Sequence, residues 1–416
     1  YISVCMAERL GIEGSALQDL AICAMLHDNA LTQYISEEIQ ENNISNISLG
    51  GSTQGDKNTV VEGGGMFNES EAIISENGMA YSPEIIKSIV GSIHKKIGLH
   101  CTYGEQNIKK LPFYTDVSGA VLYHHENADG TGTFGKRWDE IPLFARIIHL
   151  CDMVDVMGNS CDFSGESWIR AKEYVCRNRN ILFDSECADA FLEVFSEENF
   201  VSMSQDRFED ELWKKIPRDK RDCDFETCKG IADFFAGIVD YKSEFTGKHS
   251  LGVAKKAAEL AEYMGYSQAD IEKFYMAGAL HDIGKMAIGN EILEKPGRLT
   301  DEEFSRMKNH AGYTYMILSE VKDFDEVRDW AALHHEKLDG TGYPFGKKAE
   351  ELNEPERLMA CVDIYQALTE ARPYKSGMSH DKACSILEDM VQKGWIDAAV
   401  TDKLRSCFDV GGRDMV

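Results

Sequence analysis

This 416-residue sequence lacks any unbroken apolar run of the roughly 18 residues that a membrane-spanning helix requires. No membrane span is therefore expected. Its start, Tyr1-Ile-Ser-Val4, has no basic region followed by an apolar stretch, so no signal peptide is expected. An initiator Met is also missing, and the natural protein is expected to extend upstream. No CxxC pair or regular framework organises the 12 cysteines, which argues for reduced, buried thiols rather than disulfides or zinc fingers. The cytoplasm is the expected compartment. Basic residues are few: 44 Lys and Arg face 71 Asp and Glu, a net charge of −27. That excludes non-specific binding to a DNA or RNA duplex or to anionic lipid. Any phosphate substrate would need local positive charge from metal ions or a few placed Arg and Lys. Runs of alternating β-branched residues are missing too, which predicts an all-α chain.

What is present is an internal repeat. Leu122-Tyr-His-His-Glu-Asn-Ala-Asp-Gly-Thr-Gly132 returns as Ala332-Leu-His-His-Glu-Lys-Leu-Asp-Gly-Thr-Gly342. His124, His125, Glu126 and Asp129 reappear 210 positions later, as does His100 at His310. Arg146 and Asp152 match Arg357 and Asp363 at an offset of 211. Upstream, His27-Asp28 matches His281-Asp282 at an offset of 254. The chain reads as a tandem duplication, residues 1–216 and 217–416. The fall in offset from 254 to 210 gives the first copy 44 extra residues. They are expected as a flexible insertion near 41–78, rich in Asn, Ser and Gly.

Between the motifs the period is helical. Helices are predicted over Ser250–Met264, Ile271–Leu280, Asp301–Met307, Phe324–Leu333, Glu356–Leu368 and His380–Val391. Thr300 and Glu303 form a capping-box signature. The second copy's His249, His281, Asp282, His310, His334, His335 and Asp363 are expected at helix ends and loop starts. Nine of the 12 histidines fall in the two matching sets, which lifts them above ordinary surface histidines. His94, His149 and His380 are left as ordinary. Imidazole and carboxylate without thiolate favour hard to borderline ions such as Fe, Mn or Zn. Five His and two Asp exceed one tetrahedral site and suit two ions sharing a carboxylate, an arrangement able to activate water against a phosphate.

His281-Asp-Ile-Gly-Lys285 and His334-His-Glu-Lys-Leu-Asp-Gly-Thr-Gly-Tyr-Pro344 resemble the HD-GYP branch of the HD-domain phosphohydrolases. Thr246-Gly-Lys-His249, Met307-Lys-Asn-His310, Asp363-Ile-Tyr-Gln-Ala-Leu-Thr and Arg372-Pro-Tyr-Lys375 agree, over about 225–416. The resemblance implies hydrolysis of a cyclic dinucleotide, typically cyclic di-GMP, through pGpG toward GMP. It implies that His249, His281, Asp282 and Asp363 hold one divalent ion. Asp282 would bridge to a second ion on His310, His334 and His335. Iron or manganese is expected, with zinc, nickel or magnesium as alternatives. Lys285 would contact the scissile phosphate, and Arg372 and Lys375 would bind phosphate or guanine edges. Tyr343 would shape the substrate loop. Some members hold a third ion through a Glu four residues before the first His. That position is Phe245 here, with Glu244 beside it, so two ions are expected.

The first copy keeps His27, Asp28, His100, His124, His125 and Asp152 as a vestigial metal set. It has Leu31 for the lysine, Gly132-Thr-Phe-Gly135 for Gly-Tyr-Pro, and no Arg-Pro-Tyr after Asp152. A regulatory or homodimerising role is expected of it, ahead of a second active site. Three other readings remain open: a cyclic GMP-AMP hydrolase, a non-catalytic nucleotide-sensing scaffold, and a general HD nucleotidase, against which Tyr343-Pro344 and Arg372-Pro-Tyr count.

Overall fold

The computed structural model describes residues 1–30, 83–159, 164–203, 208–217, 222–242, 248–293, 295, 297–371 and 376–409. For 83–93, 157–159 and 208–209 it describes the backbone alone. Among these residues the chain is all-α. No strand forms, and pairing is confined to isolated bridges, Arg179 with Phe183 and Asp339 with Lys348. No described helix is long and apolar enough to cross a membrane. The chain divides into two compact units, with the break between Asp222 and Cys223. The insertion expected near 41–78 lies outside the described residues, as does Leu31.

The first unit contains α1 (Ile2–Arg9), α2 (Ser15–Met25), α3 (Pro83–Ile108) and α4 (Leu143–Asn159). It continues through α5 (Gly165–Arg177), α6 (Ser185–Val194), α7 (Glu197–Ser202) and α8 (Phe208–Lys215). Met6, Leu20, Ile147, Leu150, Phe183 and Phe191 are fully buried within it. The second unit contains α9 (Phe225–Lys242), α10 (His249–Tyr263), α11 (Gln268–Leu280), α12 (Asn290–Leu293) and α13 (Asp301–Ser319). After these come α14 (Asp325–Ala332), α15 (Glu354–Thr369), α16 (His380–Gln392) and α17 (Ala398–Phe408).

The capping chemistry read in the sequence sets the start of α13: Thr300 and Glu303 close a reciprocal capping box. Its end differs from expectation. The helix runs twelve residues past Met307, because His310, Ala311, Thr314 and Leu318 continue one buried face. A second capping box, Asn353 with Glu356, opens α15, with Pro355 in its first turn. Phe274 of α11 stacks on Trp330 of α14, ring centroids 4.4 Å apart. Burying each such side chain contributes about 1.5–3 kcal/mol.

Two contacts place the site. α10 and α11 approach so closely that a Cβ on Gly278 would fall 2.6 Å from the Cα of Ala254. The start of α10 thereby meets the end of α11, with the His249 and His281 rings 5.5 Å apart. The second contact recurs in both units. Asp397 caps α17 and accepts from Arg357 of α15 at 2.8 Å. Asp184 caps α6 and pairs with Arg146 of α4 at 3.1 Å. In each copy an arginine on the helix carrying the distal aspartate clamps the cap of a later helix. The sequence shows the two arginines as a match but gives no hint of this partner.

Candidate metal centre

In the second unit five elements converge on one buried point. His249 is the first residue of α10, and His281 and Asp282 follow α11 directly. His334 and His335 lie in the turn after α14. These four histidines fit the expectation of helix ends and loop starts. His310 and Asp363 do not, since they sit inside α13 and α15. Both face the core, where a mid-helix side chain is held by the packing on either side. Six of the seven are buried, and His335 is partly so.

Hydrogen bonds aim the rings. The Nδ1 of His281 lies 2.8 Å from the carbonyl of Gly278, that of His310 2.7 Å from Met307 and that of His334 2.6 Å from Ala331. Each partner is the carbonyl three residues upstream in the preceding turn. Such a bond places the proton on Nδ1 and frees Nε2 as a lone-pair donor. The Nε2 atoms turn toward two carboxylates. His281 Nε2 lies 3.2 Å from Asp282 Oδ2 and 3.7 Å from Asp363 Oδ1. His310 Nε2 lies 3.3 Å from the other oxygen, Asp282 Oδ1. His249 Nε2 lies 3.2 Å from Asp363 Oδ1.

The donors form two separate sets, His249 with His281 and Asp363, and His310 with His334 and His335. A third set, His281 with Asp282 and His334, joins them; within each, ligand atoms lie within 4.8 Å of one another. Asp282 Oδ1, His310 Nε2 and His334 Nε2 are buried with no hydrogen-bond partner among the described residues. Leaving such a group unsatisfied costs about 1–3 kcal/mol. Three convergent orphaned donor atoms, all N or O, fit divalent cations and argue against a merely structural cluster.

The charges agree. Burial pushes the His249 ring down, but the carboxylates of Asp363 and Glu370 outweigh it and hold it up at about 10. Burial, with His335 alongside, drives His334 well below its ordinary value, and His335 falls to about 4. The rings at that end are therefore neutral and ready to ligate. Burial opposes ionisation of Asp282, yet Lys285 and His281 hold its carboxyl well below the ordinary range.

Lys285 reaches Asp282 Oδ2 with its Nζ at 2.6 Å. Tyr343 lies against the metal-ligand candidates, its ring 4.6 Å from that of His335 and its amide donating to the His335 carbonyl at 3.2 Å. Arg372, Lys375, Glu244 and Phe245 lie outside the described residues. Two residues given no role in the sequence reading have clear work here. Glu336 accepts from the amides of Phe345, Gly346 and Lys347, folding the loop after Tyr343-Pro344 back on the His-His pair. Its counterpart Glu126 accepts from Phe134 and Lys136. Their recurrence in the repeat was the available signal. Glu370 holds the Nδ1 of His249 at 3.0 Å, and no motif announced it.

In the first unit the six expected residues also come together. His27 Nε2 lies 3.5 Å from Asp152 Oδ1 and 3.6 Å from Asp28 Oδ2. Asp28 Oδ1 lies 3.3 Å from His100 Nε2 and 3.6 Å from His124 Nε2, and His125 joins the ring cluster. His27 and His124 repeat the ring-to-carbonyl bond, on Ala24 and Val121. Asp28 is nearly half exposed at 46%, against 6% for the Asp282 side chain. His149, left as ordinary, is buried against Phe183, and neither of its ring nitrogens has a hydrogen-bond partner among the described residues.

A family model described as an HD domain matches residues 92–179 and 233–400. The 3′3′-cGAMP-specific phosphodiesterase 1 of Vibrio cholerae is 32% identical over 313 residues, spanning 73% of this chain and 72% of that protein. A cyclic di-GMP phosphodiesterase of the same organism is 40% identical over 167 residues, 36% of this chain and 34% of that one. The crystal structure of a cyclic GMP-AMP specific phosphodiesterase of V. cholerae, V-cGAP3, covers 98% of this chain and 91% of that chain. Its TM-score is 0.61 at 24% identity, a likeness of fold. On these matches the chain belongs to the HD-domain family and, within it, to the HD-GYP cyclic dinucleotide phosphodiesterases.

Proposed function

We propose that the second unit hydrolyses a 3′3′-linked cyclic dinucleotide at the His/Asp centre, with 3′3′-cGAMP as the preferred substrate. The carrying observation is the convergence of orphaned Nε2 and carboxylate atoms beside Lys285. His249, His281, Asp282 and Asp363 would hold one divalent ion, and His310, His334 and His335, with Asp282 shared, a second. Two such ions, when bound, activate a water and offset charge on the phosphate. They would also answer the net charge of −27, which repels an anionic ligand.

The chain's own residues do the rest. The carbonyl-bound Nδ1 atoms hold the rings in one tautomer and one orientation. Lys285, released from Asp282, would meet the scissile phosphate and stabilise the departing oxygen. Glu336 keeps the Tyr343 loop closed over His335. Arg372 and Lys375 would bind phosphate or base edges, for which a planar guanidinium suits a guanine.

The choice of substrate rests on extent of likeness. The cGAMP-specific relative aligns with 73% of this chain, whereas the cyclic di-GMP relative aligns with 36%. Cyclic di-GMP, through pGpG toward GMP, is the second reading. The first unit, with its ligand set, would regulate or dimerise rather than turn over substrate. Assays with Mn²⁺ or Fe²⁺ on 3′3′-cGAMP, cyclic di-GMP and linear pGpG test the proposal. A higher kcat/KM for 3′3′-cGAMP is expected. Preference for cyclic di-GMP would overturn the substrate choice, and no hydrolysis of any of them would leave the nucleotide-sensing scaffold.

A further inference from the structure

Resting on the metal centre proposed above, we propose that Glu370 is a positioning residue that aims His249 and sets the affinity of the ion on His249, His281 and Asp363. His281, His310 and His334 are each steadied by a carbonyl in the helical turn beneath them. His249 is the first residue of its helix, and its Nδ1 faces a side chain rather than a carbonyl of the kind above. A carboxylate takes that place: Glu370 Oε2 lies 3.0 Å from His249 Nδ1. Asp363 Oδ1 lies 3.2 Å from the other ring nitrogen. Residues 363 and 370 stand two helical turns apart on one face. The end of α15 therefore grips one imidazole by both nitrogens.

Gln366 lies between them on the same face. Its Nε2 donates to Glu370 Oε2 at 3.4 Å, and it is itself buried. Room for that amide comes from Gly252, where a Cβ would fall 2.2 Å from Gln366 Nε2. Gly252 is three residues past His249 and shares its face of α10. Two helices thus present matched rows, His249 and Gly252 against Asp363, Gln366 and Glu370. The Glu370 side chain is only 8% exposed, so solvent screens the contact weakly. A carboxylate on Nδ1 raises the basicity of Nε2 as well as fixing its direction, which a backbone carbonyl does less strongly.

Titration of the metal-free full chain with Mn²⁺, followed by calorimetry, tests this without turnover. In a background with His27 and Asp28 changed to Ala, which removes candidate ligands of the first unit, two equivalents are expected. Glu370→Ala is expected to weaken one of them by about 10–100-fold and leave the other unchanged. Glu370→Gln keeps the shape and an acceptor and is expected to weaken that equivalent less. In a His249→Ala background, adding Glu370→Ala is expected to change nothing further, the coupling that a direct pair must show. Excess Mn²⁺ should restore kcat in Glu370→Ala with KM unaltered. Two undiminished equivalents in folded Glu370→Ala, or an equal loss at both, overturns this inference alone. Should Glu370→Ala fail to fold, Glu370→Gln decides, and undiminished affinity there with full additivity in the His249→Ala background overturns it. A wild-type chain that binds no metal overturns the proposed function and this inference together.

Discussion

Lys285 and Asp282 form an ion pair, Nζ to Oδ2 at 2.6 Å, within one short turn after α11. The carboxylate proposed to join two cations is thus already matched to one fixed positive charge. Replacing Lys285 by Met should leave metal content unchanged, or tighten binding, since a competitor for Asp282 is removed. Turnover should fall on the order of 10²–10³-fold, the scale for losing one donor that stabilises charge in the transition state. Metal analysis alongside kcat separates the two effects. Equal loss of metal and activity would show that Lys285 acts only through Asp282.

The duplicated sites should behave unequally. Changing His281 and Asp282 together to Ala should reduce hydrolysis to background. The same change at His27 and Asp28 should leave turnover near wild type, because that unit has Leu31 where the second has Lys285. Parallel assays of the two double variants decide this. Activity carried by the first pair would reverse the assignment of roles.

Metal removal should cost stability as well as activity. Asp282 Oδ1, His310 Nε2 and His334 Nε2 are buried without a hydrogen-bond partner among the described residues when no ion is bound. Restoring an ion at about 100 times its Kd adds about 2.7 kcal/mol, on the order of 5–10 °C in Tm for a unit of this size. Calorimetric scans with EDTA and then with Mn²⁺ measure the shift. An unmoved Tm together with chelator-resistant hydrolysis would count against a metal centre.

The clamp on α17 makes a pH-dependent contribution. Burial alone would raise the Asp397 carboxyl, but Arg357 and the amides of Val400 and Ala399 hold it below its ordinary 3.8. With the folded value depressed, the stabilisation is present above about pH 4 and is lost as pH falls through the lower folded value. Asp397→Asn keeps a competent cap and removes the charge, so it should flatten the acid limb of a stability–pH profile. Asp397→Ala removes the cap as well and should cost about 0.5–2 kcal/mol at neutral pH. Denaturant melts from pH 3 to 7 compare them. Identical acid limbs in wild type and Asp397→Asn would show that the pair carries no linkage.

Much of this was legible in one sequence because the repeat acts as an internal control. His124-His125 recurring as His334-His335, and His100 as His310, marked ligand candidates without any second protein. The helical class followed from apolar spacing, and the start of α13 from Thr300 and Glu303. What stayed hidden depends on chain segments far apart in sequence. Glu370 reaches His249 across 121 positions, and its role arises only when the end of α15 meets the start of α10. The end of α13 was misread because the apolar face continues through His310, a residue that a hydrophobic pattern does not count. Thr314 left no signal either, although its hydroxyl ties the His281 carbonyl to the amide of Gly284.

The arginine clamp stands in both copies, Arg146 on Asp184 and Arg357 on Asp397, although the surroundings of their metal-ligand candidates have diverged. Shape and chemistry are therefore wired separately in this chain. In each copy the fastening is made by an arginine near the start of the helix that carries Asp152 or Asp363, so the frame is held by groups other than the metal-ligand candidates. That separation lets the surroundings of the two candidate sites differ while one and the same fastening holds each unit.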